Sequence, residues 1–216
     1  MKILQPKVEL IAITPNAQKV IEEAGRTCYM SFHRMQEGSD EKLIKSLIRA
    51  GHDSVLEHAY ATFRISNVSR ALTHQLVRHR LNSFSQQSQR YVDEKGAEFI
   101  VPPSIQADEV ALVLYTDIIE NALLAAYETL RSRGIPKEDA RYLLPNAVCS
   151  EIVVSGNFRQ WRHVIEVRGG KGAQWEIRDV AIKILEALRE EAPAVFGDFE
   201  IDEEAGTVIA TRYRES

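Results

Sequence analysis

Arg78, His79 and Arg80 stand side by side in the chain, followed after seven residues by Ser88 and then by Arg90 and Tyr91. Three basic side chains in a row, a hydroxyl and a further guanidinium make a set of donors for anionic oxygens. Arg suits that work because its planar fork presents paired N–H groups to a phosphate or carboxylate. The set sits in a stretch from His58 to Val92 that contains no Asp or Glu, and its cations Arg64, Arg70, Arg78, Arg80 and Arg90 include no Lys. A merely solvated face mixes Lys with Glu, so this bias points to a focused anion site. A second basic segment, Ile152 to Trp175, holds Arg159, Arg162, Arg168 and Lys171 against the single acid Glu166. Ser88 has no base or orienting carboxylate beside it in sequence, which makes its hydroxyl a positioning group rather than a nucleophile.

Other chemistry-bearing residues read differently. Cys28 and Cys149 are far apart and lack the nearby Cys or His of a zinc site, so both are expected to be small core residues. The GGKG run at Gly169 to Gly172 lacks the spacing and the preceding strand of a phosphate loop and reads as a flexible connection. Trp161 and Trp175 fall on apolar helical faces and are expected in the core. A formal charge of −4 argues against a general nucleic-acid binder, and 44% hydrophobic with 27% charged residues fits one globular domain over residues 1–216. No stretch approaches about 18 uninterrupted apolar residues, and the amino terminus lacks the order of a secretory signal. The expectation is a soluble, cytoplasmic protein with neither membrane nor nucleic acid as partner.

The elements that must position these residues follow from periodicity. Val8 to Ile13 reads as a strand, and Thr14-Pro15 as the start of a helix running to about Tyr29. Ser39 and Asp40 open a second helix with Leu43, Ile44, Leu47 and Ile48 on one face and Gly51 at its end. Ala59 to Ile65 alternates like a half-buried strand. A helix is predicted from about Ser69 to His79. If it continued, Gln75, Arg78 and His79 would share a face while Arg78 and Arg80 pointed nearly opposite ways, so one ligand could not easily use all three basic groups. The Ser- and Gln-rich residues from Arg80 to Tyr91 read as an ordered loop, and Asp108 to Ser132 as a long central core helix stopped by Gly134. Pro136 starts a short helix ending before Pro145, and Ser150 to Ser155 is a predicted strand with a turn at Gly156. Asn157 then caps a helix bearing Phe158, Trp161, Val164 and Ile165, which breaks at Gly169 to Gly172. A last helix from Ala173 to Glu190 and a terminal strand from Thr207 to Tyr213 complete an α+β pattern with a small central antiparallel or mixed sheet.

Arg-His-Arg, seven residues, Ser and an Arg-Tyr pair resembles the signature of flavin-dependent thymidylate synthases. The resemblance continues in the same order through GHDSVLEH at Gly51 to His58, ARYLLP at Ala140 to Pro145, NFRQW at Asn157 to Trp161 and AQWEI at Ala173 to Ile177. Several separated blocks in one order make a specific match. It implies reductive methylation of dUMP to dTMP, with methylenetetrahydrofolate as one-carbon donor, FAD as the hydride-carrying cofactor and NADPH as reductant. It further implies a homotetramer with sites shared between neighbouring subunits.

Residue by residue, the resemblance puts flavin contacts on His52, Ser54, Glu57, Arg78, His79, Arg80, Asn157, Arg159 and His163. It puts dUMP contacts on Gln75, Arg78, Gln86, Gln87, Ser88, Arg90, Arg141 and Arg168, with Arg168 as the catalytic candidate that polarises the uracil ring. Gln86 stands where the family can have Glu, and His163 where it can have Asn. Two rival readings remain on the residues alone: a nucleic-acid module using the acid-free stretch as a phosphate track, and a flavin or nucleotide carrier without catalysis. A yellow purified protein separates the first rival from a flavoprotein.

Overall fold

Where apolar and polar residues alternate the chain is extended, and where apolar residues recur every three or four positions it is helical, over the described residues 2–214 of this computed structural model. The chain forms two compact units. One comprises Met1–Lys7, Ile65–Leu76 and Ser85–Ile152; the other comprises Val8–Arg64, Val77–Phe84 and Val153–Ser216. Four strands, β1 (Lys7–Ile13), β2 (Tyr60–Ser69), β3 (Ser83–Gln86) and β4 (Cys149–Asn157), make a sheet in the order β1-β2-β4-β3. The central strands show the period-two burial of a sheet with one face on a core: Ala61, Phe63 and Ile65 on β2, and Ser150, Ile152 and Val154 on β4. The fold is α+β.

In the second unit, helices α1 (Ala17–Thr27) and α2 (Ser39–Ala50) bury Ile21, Ile44 and Ile48. Inside this layer Glu22 accepts from Arg26 Nη2 at 2.8 Å and from Ser39 Oγ at 2.6 Å, so the buried carboxylate is both paired and hydrogen-bonded. Gly51 closes α2 with φ +81°, a conformation that suits glycine. Further along, after α3 (Arg70–Leu76) and α4 (Glu109–Ser132) of the other unit, come α5 (Phe158–Gly169) and α6 (Trp175–Glu191). The Trp161 ring meets Phe63 edge-on at 5.1 Å and its indole N–H donates to Ala61 O at 3.0 Å, tying α5 to β2. A hairpin follows, with β5 (Phe199–Asp202) antiparallel to β6 (Thr207–Ala210). Strand β5 was not foreseen, and the predicted terminal strand ends at Ala210.

In the first unit, α3 (Arg70–Leu76) is launched by long-range bonds, Arg70 N to Val148 O and Ala71 N to Asn146 O. It stops at Leu76 instead of His79, so Arg78 to Arg80 occupy a turn and do not share a helical face with Gln75. The predicted loop at Arg80 to Tyr91 contains β3, and Gly156 lies within β4 instead of in a turn. A Cβ at position 156 would stand 2.4 Å from Asn82 Oδ1, which is why a glycine is needed in the strand.

The long helix α4 (Glu109–Ser132) forms as predicted, with a π-helical stretch at Ile118–Leu124, but it is not a central core helix. Ile119 packs with Phe99 and Val148, and Tyr127 is buried, whereas Val110, Val113, Leu114 and Ile118 are 78%, 65%, 58% and 45% exposed. Apolar residues surround this helix on all sides, and a single-chain core can receive only one face. By length and composition α4 is apolar enough to cross a membrane, although Asp117, Glu120 and Asn121 interrupt its middle. Two further core expectations are corrected. Cys28 is exposed, just beyond the end of α1, and Cys149 is only partly buried. Trp161 is fully buried, but Trp175, the first residue of α6, is only partly so.

Candidate functional site

The Arg78-His79-Arg80 turn forms one wall of a cavity of about 1150 Å³ in the second unit. Backbone bonds hold the turn, with Arg80 N donating to Arg78 O and Asn82 N to His79 O, both at 3.0 Å. Arg78 and Arg80 are exposed to the cavity, while His79 between them is buried. Further lining comes from the start of α5, where Asn157 caps the helix by accepting from Gln160 N at 2.8 Å. Arg159 lies in the first turn of the helix and His163 one turn further on. Arg159 Nη1 pairs with Glu57 Oε1 at 2.5 Å, a contact about half exposed on both sides and worth little stability by itself. Thus Glu57, Arg78, His79, Arg80, Asn157, Arg159 and His163 line one cavity. His52 and Ser54 do not; they are exposed residues flanking Asp53, which does line it.

His79 is the electrostatically unusual member. Burial first, then the Arg168 cation and His163, push its pKa down to about 4, so the imidazole is neutral near pH 7. The two imidazole rings meet edge-on at 5.6 Å. Arg168, on the last turn of α5, donates through Nε to His79 Nε2 at 2.9 Å. That bond makes Nε2 the acceptor and so assigns the ring proton to Nδ1. Burial and the nearby Arg78 cation lower the Arg168 pKa, so its surroundings favour the positive charge less than water does.

The remaining predicted nucleotide residues belong to the first unit. Gln86 Nε2 donates to Thr73 Oγ1 at 2.8 Å and to Ser150 Oγ at 3.2 Å. Gln87 is held to β4 by its N–H to Glu151 O at 2.9 Å, and its side chain donates to the buried Glu94 at 3.2 Å. Gln75 Nε2 donates along α3 to Ala71 O at 3.4 Å. Ser88 starts a tight turn: its carbonyl accepts from Tyr91 N and Val92 N, and its Oγ accepts from Arg90 N at 3.3 Å. Arg90 Nε bonds Glu138 Oε2 at 2.8 Å, and Arg141 Nε bonds the Glu138 carbonyl at 3.1 Å, so one residue gathers both guanidinium groups. Gln75, Gln86, Gln87, Ser88, Arg90 and Arg141 therefore share this unit, whereas Arg78 and Arg168 belong to the other.

Arg70 joins this group although the motifs did not single it out. Its Nη1 donates to Gln87 O at 3.5 Å, and its pKa is lowered by burial and then by repulsion from Arg141, against the attraction of Glu94. Two guanidinium groups that feel each other's charge suit an anion near both. The only sequence signal was membership in the acid-free stretch. Among the described residues no group of three or more His, Cys, Asp or Glu side chains could hold a metal ion.

Comparisons with known proteins agree on one family. The family model described as thymidylate synthase complementing protein matches residues 9–194. A flavin-dependent thymidylate synthase of Mycobacterium leprae (strain Br4923) is 40% identical over 227 residues, covering 95% of this chain and 89% of that protein. One from Mycolicibacterium gilvum (strain PYR-GCK) is 41% identical over 224 residues, with 95% and 89% covered. The crystal structure of a UMP/dUMP methylase, PolB, from Streptomyces cacaoi bound with 5-Br dUMP superposes with a TM-score of 0.81 at 25% identity, covering 89% of this chain and 93% of that one. With matches of this extent in both sequence and fold, the chain belongs to the flavin-dependent thymidylate synthase family.

Proposed function

We propose that this chain methylates dUMP to dTMP reductively, with methylenetetrahydrofolate as one-carbon donor, FAD held in the cavity behind Arg78, His79 and Arg80, and NADPH as reductant. The observation that carries this reading is the cavity itself. About 1150 Å³ is ample for a flavin dinucleotide, and Arg78 and Arg80 offer charge-assisted bonds to its diphosphate. The residues fit the cofactor. When bound, FAD supplies the hydride that reduces the transferred carbon to methyl. The protein's share is positioning and electrostatics: the turn at Ser88 with Arg90, Arg141 and Arg70 grips the nucleotide phosphate, Gln75, Gln86 and Gln87 orient the base, and Arg168 steadies negative charge developing on the uracil. Tritium release from C5-labelled dUMP, with methylenetetrahydrofolate and NADPH present, tests the reaction. No release from flavin-loaded protein would contradict it.

Three outcomes are expected at the level of residues. Arg80→Ala should lose FAD on gel filtration that the parent retains; equal flavin absorbance in both would remove Arg80 from the flavin site. Arg90→Ala and Arg141→Ala should each weaken dUMP binding about tenfold while sparing FAD, since each removes a charged donor. Unchanged calorimetric titrations in both variants would rule out this nucleotide site. Ser88→Ala should raise the dUMP requirement yet still methylate in single turnovers, because a positioning hydroxyl is dispensable and a covalent nucleophile is not. Complete loss of methylation with FAD and dUMP bound would restore the nucleophile.

The whole of residues 1–216 is taken as one enzyme domain, a reading supported by the match over 9–194, which draws on both compact units. The exposed Val110, Val113, Leu114 and Ile118 stripe on α4 supports assembly into a homotetramer, since burying it against other copies removes a contiguous apolar face from water. Light scattering after gel filtration reads the mass directly. We place the enzyme in the cytoplasm, a reading that the same assignment to nucleotide metabolism supports.

A further inference from the structure

The segment after β6, Thr211–Arg214, lies outside the residues 9–194 covered by the family model and packs onto the unit that carries the cavity. Arg212 and Tyr213 are consecutive in the left-handed backbone region, with φ +56° and +55°. Side chains with a Cβ adopt it rarely, and they remain there only where their surroundings hold them. Here the hold is explicit. Thr211 N and Oγ1 both donate to the Asp198 carbonyl at 2.8 Å, Arg49 Nε donates to Tyr213 O at 2.9 Å, and the Tyr213 hydroxyl donates to Ala194 O at 2.9 Å. Burial and then the Asp198 carboxylate push the Tyr213 phenol up to about 12, which keeps its proton in that bond.

This pinning delivers Arg212 to the cavity wall. Its Nη2 donates to the two Asp53 oxygens at 2.7 and 2.8 Å and to Ile48 O at 3.0 Å. Asp53 and Glu57 come from one short 3-10 helix, Asp53–His58, and both line the cavity. The Asp53 side chain is 22% exposed, enough to meet a ligand. A carboxylate has about four lone-pair sites, of which Arg212 takes two. With its charge already balanced by Arg212, Asp53 suits a neutral donor such as a hydroxyl, and as an acceptor-only group it has no proton to offer a phosphate. Arg78 and Arg80 supply the wall for phosphate. A flavin dinucleotide presents both kinds of group, a diphosphate and the hydroxyls of its ribityl chain and ribose.

Building on the assignment of this cavity to FAD, we propose that Asp53 accepts hydroxyl hydrogens from the sugar-like part of the flavin, and that Arg212 is the positioning residue that holds its carboxylate in place. The test titrates FAD and FMN into apoprotein of the parent, Arg212→Asn, Asp53→Asn and the double variant, following flavin fluorescence, with thermal melting of each apoprotein alongside. Asn tolerates left-handed backbone better than Arg, so Arg212→Asn removes the guanidinium without adding strain. Expected are apoprotein melting close to the parent's, FAD dissociation constants raised about tenfold in each single variant, and a double variant no weaker than the weaker single one. A matching loss with FMN assigns the ribityl chain, and a loss with FAD alone assigns the adenosine ribose; both support the proposal. Parent-like FAD binding by either single variant overturns it. If Arg212→Asn does not fold, Asp53→Asn alone decides. Arg80→Ala binding FAD like the parent counts against the cavity assignment instead, and a parent that binds no FAD overturns both.

Discussion

Arg168→Ala is expected to slow methyl transfer about 10²- to 10³-fold at saturating dUMP while FAD stays bound, the loss typical of removing one preorganised donor from developing negative charge. The reason lies in the company Arg168 keeps. Its Nε is engaged by His79 Nε2 at 2.9 Å, and its charge is opposed by burial and by Arg78. A cation set beside a second cation gains most when the neighbouring group becomes anionic, which is when a uracil ring is being attacked at carbon. Arg168→Lys keeps the charge but not the planar fork, and an intermediate rate is expected. Single-turnover methylation with flavin occupancy read by absorbance measures the effect; an Arg168→Ala rate within tenfold of the parent would take Arg168 out of the chemistry. The same pair has a pH signature. His79 falls from its ordinary 6.5 to about 4 in the folded chain, so between those values the unfolded chain binds more protons. The stability contributed by keeping His79 neutral is therefore complete above about pH 6.5 and is lost as pH falls toward 4.

Asp198→Ala is expected to destabilise the chain by about 3–5 kcal/mol, lowering the melting temperature by roughly 6–20 °C for a protein of this size. Asp198 is fully buried and bonds Arg162 through both oxygens, at 2.5 and 2.6 Å. Arg162 also donates to Val195 O and stacks 4.6 Å from the Phe199 ring centre. Removing the carboxylate leaves a buried guanidinium without a counter-charge, which costs far more than losing the pair as a whole. The double variant Arg162→Met/Asp198→Leu should accordingly lose less than Asp198→Ala. Calorimetric melting of the three proteins checks the order; an Asp198→Ala loss below about 1 kcal/mol would show that water reaches the pair.

Much of this molecule was legible one residue at a time. Period-two alternation found β2, helical spacing with Asn157 as cap found α5, and the Arg78-His79-Arg80 run marked the turn that lines the cavity. These signals are local, carried by side chains within a few positions of one another. The end of α3 at Leu76 and the strand β3 were not legible, because bonds such as Gln87 N to Glu151 O, between residues distant in sequence, outweigh weak local preference. Gly156 reads as a turn residue until Asn82 is packed against it. Composition made α4 a helix but could not say which of its apolar sides stays outside the core, since that depends on how much core one chain has to offer. Residue type alone marked Arg78, Arg80 and Arg168 as cations for a site. Only the folded chain placed Arg70 beside Arg141, put a neutral His79 under Arg168 and carried Arg212 back to Asp53, because charge, burial and hydrogen bonding between distant residues exist only once the chain has brought them together.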